Sequence, residues 1–132
     1  MNTANRNQSM DESSGPGFEK LRLELAEFAK SRDWEQFHSI RNLVLALVGE
    51  VGELAAEFQW LSDEQVTSAM LNEQKREAVG SELADILAYL IRIADVAQFD
   101  LESELMKKMQ LNESRYPIEK SKGSSAKYTT YD

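Results

Sequence analysis

The stretch RNLVLALVGEVGELAAEFQW, Arg41 to Trp60, decides the class of this chain. Wound at 100° per residue, Leu43, Leu47, Val51, Leu54 and Phe58 fall on one stripe, the mark of an amphipathic helix. A carboxylate interrupts it. Glu50 lies between Leu43 and Leu54 in angle, Glu53 lies about 60° to one side, and Glu57 falls between them. Other apolar residues (Val44, Leu45, Ala46, Val48) continue round the helix. That is more apolar surface than a lone five-helix domain can cover, so the spacing predicts a stable oligomer.

Working outward, the same periodicity recurs. Phe18, Leu21, Leu25 and Phe28 predict a first helix ending near Arg32, and Asp33–Ser39 (DWEQFHS) reads as a structured loop. Ser39 can cap the Arg41–Trp60 helix. Ser62, with Gln65 three residues on, opens a short helical piece toward Leu71. A long helix spans Glu73 to Gln98, and Asp100 caps a last one from Leu101 to Tyr116. No segment alternates with period two. The class is all-α, a bundle of four to five helices joined by short connections.

Both prolines, Pro16 and Pro117, flank these helices. Residues 1–17 lack aromatic and branched aliphatic side chains, which predicts a disordered tail. Residues 118–132 read as a second mobile tail, leaving residues 18–117 as the working domain. Fifteen Lys and Arg against 23 Asp and Glu give a net charge of −8, which argues against nucleic-acid polymers as partners. There is no cysteine, so disulfides, thiolate metal sites and cysteine nucleophiles are excluded together. No apolar run is long enough for a membrane span, and the N-terminus lacks the basic start and apolar run of a signal peptide. A cytoplasmic domain is the expectation.

The long helix repeats the carboxylate pattern. Val79, Ile86, Tyr89, Leu90 and Ile93 form its stripe, Glu82 sits within it, and Asp85 lies about 60° away. Two i, i+3 carboxylate pairs thus face apolar surfaces, where ionised groups are costly and repel one another. Few inward cations offer themselves: Arg92 lies near the Asp85 side, and Lys75 on the Glu82 stripe. One such pair alone would read as a solvated groove edge. Two point to a hard divalent cation, Mg²⁺ with Mn²⁺ as substitute, which takes oxygen ligands and keeps positions for phosphate. The single histidine, His38, belongs to neither pair, which closes the Glu-x-x-His di-iron and histidine-zinc routes.

Glu50-x-x-Glu53, 28 residues, then Glu82-x-x-Asp85 resembles the signature of the MazG-like all-α nucleoside triphosphate pyrophosphatases. RDWEQFH (Arg32–His38), Arg41–Trp60, SELADILAYL (Ser81–Leu90) and the pattern of Lys108-Met109, Asn112 and Arg115-Tyr116-Pro117 are similar to the dCTP pyrophosphatase branch. The resemblance covers Leu21 to Pro117. It implies Mg²⁺-dependent, cytosolic, tetrameric enzymes that hydrolyse dCTP and its 5-substituted forms to the monophosphate and pyrophosphate, with active sites shared between subunits. Glu50, Glu53, Glu82 and Asp85 match the metal ligands. Trp34 to His38, Trp60 and Tyr89 match the nucleoside pocket. Two departures stand out: Leu25 occupies a place where a histidine is expected, and the connection from Trp60 to Glu73 is shorter.

On their own terms the residues suit this chemistry. Trp34 and Phe37, beside His38, can sandwich a base, with Trp60 as a further wall. The Tyr89 hydroxyl can reach a sugar or phosphate, and Glu53 can take a proton from the attacking water. Lys108, Asn112 and Arg115 share a helical face, either an ordinary solvated one or a grip for polyphosphate. Two alternatives remain open: a broad (d)NTP pyrophosphatase, and a non-catalytic helical dimerisation module with an acidic groove.

Overall fold

The computed structural model describes residues 15–131. The predicted N-terminal tail, save Gly15 to Gly17, lies outside them. Six α-helices follow in order: α1 (Phe18–Ser31), α2 (Ile40–Ala56), α3 (Asp63–Ala69), α4 (Glu73–Ala97), α5 (Leu101–Arg115) and α6 (Ile118–Ser121). Short 3-10 turns occupy Glu35–Phe37 and Tyr128–Thr130, and no strand occurs among the described residues. None of these helices is long and apolar enough to cross a membrane.

The helix starts follow from side chains that satisfy the free N–H groups of the first turn. Ser39 accepts from the Asn42 N–H, Ser62 and Gln65 form a reciprocal box, and Asp100 accepts from the Ser103 N–H. Asn72 caps α4 through the Lys75 N–H. Helix α2 stops at Ala56, four residues short of the predicted Trp60. There the backbone tightens to i→i+3 bonds, Glu57 N–H to the Leu54 carbonyl and Phe58 N–H to that of Ala55. Gln98 ends α4 in the left-handed conformation at φ 62°, and the Phe99 N–H returns to the Ala94 carbonyl at 2.8 Å.

Helix α4 is the spine, packed most extensively on α2 and, near its C-terminal end, on α1. Ala29, Leu43, Val79, Ile91 and Ala94 form the buried apolar core, with Leu43 only 1% exposed. Ile91 and Ala94 lie off the predicted stripe and are buried because α4 serves two neighbours. Val51 and Leu90, which the stripe placed inward, are exposed. Ion pairs tie the layers: Arg22 of α1 to Asp95 of α4 at 2.9 Å, and Lys75 of α4 to Glu57, just past the end of α2, at 2.5 Å.

Much apolar surface stays uncovered in one chain. Val44, Leu45, Val48 and Val51 on α2 are exposed, as are Leu83, Leu87 and Leu90 on α4. So are Leu105, Met106, Met109 and Leu111 on α5, a helix with no buried residue. Beyond Pro117 the chain continues into α6 and the Tyr128 turn. The Tyr116 ring meets Tyr128 and Tyr131 edge to face at 5.6 and 6.0 Å, holding this segment to the end of α5.

Candidate functional site

Where α2 packs on α4, each helix brings its carboxylates to the seam. Oxygens of Glu50, Glu53 and Glu82 lie within 4.8 Å of one another. Glu50 and Glu82 are half-buried and Glu53 is exposed. Glu50 Oε2 and Glu82 Oε2 are fully shielded, yet neither has a hydrogen-bond partner among the described residues. Such oxygens are costly to leave unpaired. The Glu82 carboxyl is accordingly pushed up to about 7. Burial is the largest cause, and the close approach of the Glu50 and Glu53 carboxylates adds to it.

The inward cations foreseen from sequence do not resolve the cluster. Lys75 is engaged by the Glu57 carboxylate and carbonyl, and Arg92 by Asp95 and His38. Three oxygen donors with two orphaned atoms fit a hard divalent cation, the donor set such ions take. Asp85 is not within the 4.8 Å group. It lines the adjoining cavity with Glu50.

That cavity holds about 190 Å³ and opens beside the carboxylates. The loop after α1 builds one wall. Asp33 adopts the left-handed conformation at φ 54°, and the Trp34 N–H returns to the Ala29 carbonyl at 2.9 Å. This sharp return lays Trp34 edge-on against Phe28 at 5.7 Å and against His38 at 6.4 Å. Tyr89, Ala88 and Arg92 of α4 complete the lining, and Leu25 of α1 faces it as an apolar wall. Burial, and then the charge of Arg92, lower the His38 imidazole below its ordinary value against an opposing pull from Glu35.

Of the residues singled out from sequence, Trp34, His38, Tyr89, Glu50 and Asp85 converge on this cavity. Phe37 does not line it and stands 60% exposed. Trp60 lies beyond the end of α2, 85% exposed. Lys108, Asn112 and Arg115 on α5 are also absent from the lining. The Arg115 guanidinium instead sits over the Tyr128 ring at 4.8 Å. Sequence reading missed Phe28, Ala29 and Ala88 as wall residues. It noted Arg92 only as a stray cation, since a helical wheel does not reveal how the loop returns onto α1.

An all-helical bundle whose two packed helices gather carboxylates fit for a hard cation, beside a cavity with an indole and an imidazole, defines a narrow class of protein. The chain belongs to the MazG-like family, which residues 45–130 match. It is 50% identical over 117 residues to dCTP pyrophosphatase 1 of Bos taurus, covering 89% of this chain and 69% of that protein. It is 47% identical over 114 residues to dCTP pyrophosphatase 1 of Homo sapiens, covering 86% of this chain and 67% of that one. A crystal structure of a pyrophosphatase from Archaeoglobus fulgidus superposes with a TM-score of 0.72 at 33% identity, covering 82% of this chain and 99% of that one.

Proposed function

We propose that this chain is a metal-dependent hydrolase that converts dCTP and 5-modified dCTP, with water, to the deoxynucleoside monophosphate and pyrophosphate. It would thereby clear such nucleotides from the cytoplasmic pool. One observation carries the reading: a cluster of three carboxylates with two orphaned oxygens reaches, through Glu50, a cavity walled by Trp34, His38 and Tyr89. The curated relatives are 47% and 50% identical to this chain over the 114 and 117 residues they share with it, and are dCTP pyrophosphatases by name. An intact Glu50, Glu53, Glu82 and Asp85 set speaks against a non-catalytic dimerisation module.

Glu50, Glu53 and Glu82, with Asp85 beside them, would hold Mg²⁺. A bound divalent cation supplies neutralisation of the triphosphate and a lowered pKa for water. Glu53, the exposed member, can take the proton of the water that attacks the α-phosphorus. Trp34 would stack on the base, His38 would hydrogen-bond its edge, and Tyr89 would reach the sugar or phosphate.

The cavity is smaller than the roughly 300 Å³ at the low end of small-molecule sites. One chain therefore encloses only part of a nucleotide. This supports a tetramer of paired subunits with shared sites, in which Trp60, Phe37 and the Lys108–Asn112–Arg115 face would contribute from outside the cavity. Leu25 favours a second reading. An apolar wall there removes a hydrogen-bonding group, which broadens the base preference toward dUTP, dTTP or ribonucleotides.

Pyrophosphate release from a panel of dNTPs, NTPs and 5-modified dCTPs, with Mg²⁺ and with EDTA, tests the proposal. Metal-dependent turnover highest on the dCTP forms is expected. Equal rates on all bases would establish the broad enzyme, and no turnover on any would overturn both.

A further inference from the structure

Arg92 is the only buried polar or charged residue among the described residues, 7% exposed in the C-terminal half of α4. An arginine so deep requires partners. Its Nη1 donates to Asp95 Oδ2 at 2.9 Å, and its Nε donates to His38 Nδ1 at 3.4 Å. The other oxygen of Asp95 accepts from Arg22 Nη1 at 2.9 Å, and Arg22 is held in turn by Glu19. Clamping α1 to α4 needs only Arg22 and Asp95. Arg92 lies on the same helix as Asp95, so it adds little to that clamp. Its distinct contact is on the cavity side, where it bonds His38 and shares the lining with Glu50 and Asp85.

A ring nitrogen that accepts a hydrogen bond carries no proton. The Arg92 contact therefore leaves the neutral imidazole proton on Nε2, and a neighbouring guanidinium disfavours the doubly protonated ring. Arg92 is also under a competing pull, because Glu50 and Asp85 line the same cavity and would attract a guanidinium. The ion pair with Asp95 restrains it on the His38 side.

We propose that Arg92, anchored by Asp95, is a positioning residue for base recognition: it pins His38 as the neutral Nε2–H imidazole, so that the pocket presents a fixed hydrogen-bond donor. The inference rests on the reading of this cavity as the base pocket. Its consequence is specificity. Aimed at ring N3, which is an acceptor in cytosine and a donor in thymine and uracil, a donor that cannot switch tautomer pairs with the first and opposes a second donor in the others. A free imidazole would adapt to either.

The test exploits the chain's single histidine. Nitrogen NMR of the full-length protein, at a pH where the ring is neutral, reads one imidazole without ambiguity. The wild type should show the proton on Nε2 alone. Arg92→Met removes the donor but leaves Asp95 paired with Arg22, and should give a mixture of tautomers. Its KM for dCTP should rise roughly three- to tenfold, the worth of one hydrogen bond. Its kcat should change little, and the preference for dCTP over dTTP should narrow. Asp95→Asn should move the same readouts in the same direction by less, and serves if the methionine variant fails to fold. An Nδ1–H ring in the wild type, or an unchanged tautomer in folded variants, would overturn the proposal. So would a KM for dTTP that rises as much as that for dCTP. Failure of the wild type to hydrolyse any nucleotide would instead sink the functional reading, while the ring spectrum still reports on the pinning.

Discussion

Glu50→Gln separates a cation site from a merely acidic groove, because only the first gives a Mg²⁺ stabilisation that the variant loses. Glu50 Oε2 and Glu82 Oε2 are buried without partners, and Glu53 lies within the same 4.8 Å group. An amide at position 50 removes one negative charge and offers an N–H to a facing carboxylate. That hydrogen bond is worth about 1 kcal/mol, so the metal-free variant should melt at the wild-type temperature or a few degrees above it. Saturating Mg²⁺ should act the other way round. At about a hundredfold excess over its Kd it stabilises the folded wild type by about 2.7 kcal/mol, or roughly 8–13 °C in Tm for a domain of this size. The variant should lose that shift along with turnover.

The pH dependence carries a sign that follows from Glu82. Its carboxyl is raised from an ordinary 4.5 to about 7 in the fold, so the folded state holds the proton more tightly than the unfolded chain. That stabilisation is complete below about pH 4.5 and is lost as pH rises toward about 7. Because a cation takes the proton's place, the Mg²⁺ shift in Tm should grow across the same window. Scanning calorimetry of both proteins along a pH series, with and without Mg²⁺, checks all of this. A variant that keeps the full Mg²⁺ shift, or one that cannot fold, would refute the cation site.

Other outcomes follow from the same structure. Trp34→Ala should raise KM for dCTP about 5- to 150-fold, the range for losing one base-stacking aromatic, with pyrophosphate still the product; an unchanged KM would remove Trp34 from the pocket. His38→Ala should narrow the gap between dCTP and dTTP, and steady-state kinetics on both substrates decides it. Light scattering should find a particle near four times the 15.0 kDa chain, since the exposed apolar faces of α2, α4 and α5 need cover; a lone 15.0 kDa species would contradict the tetramer. Leu43→Ala, at the most enclosed core position, should cost about 2–5 kcal/mol by cavity formation, read as a lowered Tm with site geometry otherwise kept.

How much of this was legible beforehand depended on the range of the forces involved. Ser39, the Ser62–Gln65 box and Asp100 announce helix starts because capping is settled within four residues. The Glu50–Glu53 and Glu82–Asp85 pairs are visible as misplaced charges because helical geometry alone puts them on or beside apolar stripes. The same geometry could not say that Asp85 would lie outside the close group of the other three and line the cavity with Glu50. Nor could it say that Val51 and Leu90 would stay exposed, since that depends on which part of each stripe the neighbouring helix reaches. The wall made by Phe28 and Trp34 required a left-handed Asp33 to fold the loop back onto α1. Arg92 needed Asp95 on its own helix, Arg22 from α1 and His38 from the loop, three elements meeting at one point. Periodicity and caps are local and belong to the sequence. The identity of a buried charge's partners is long-range, and only the packing of α1, the loop and α2 against α4 decided it.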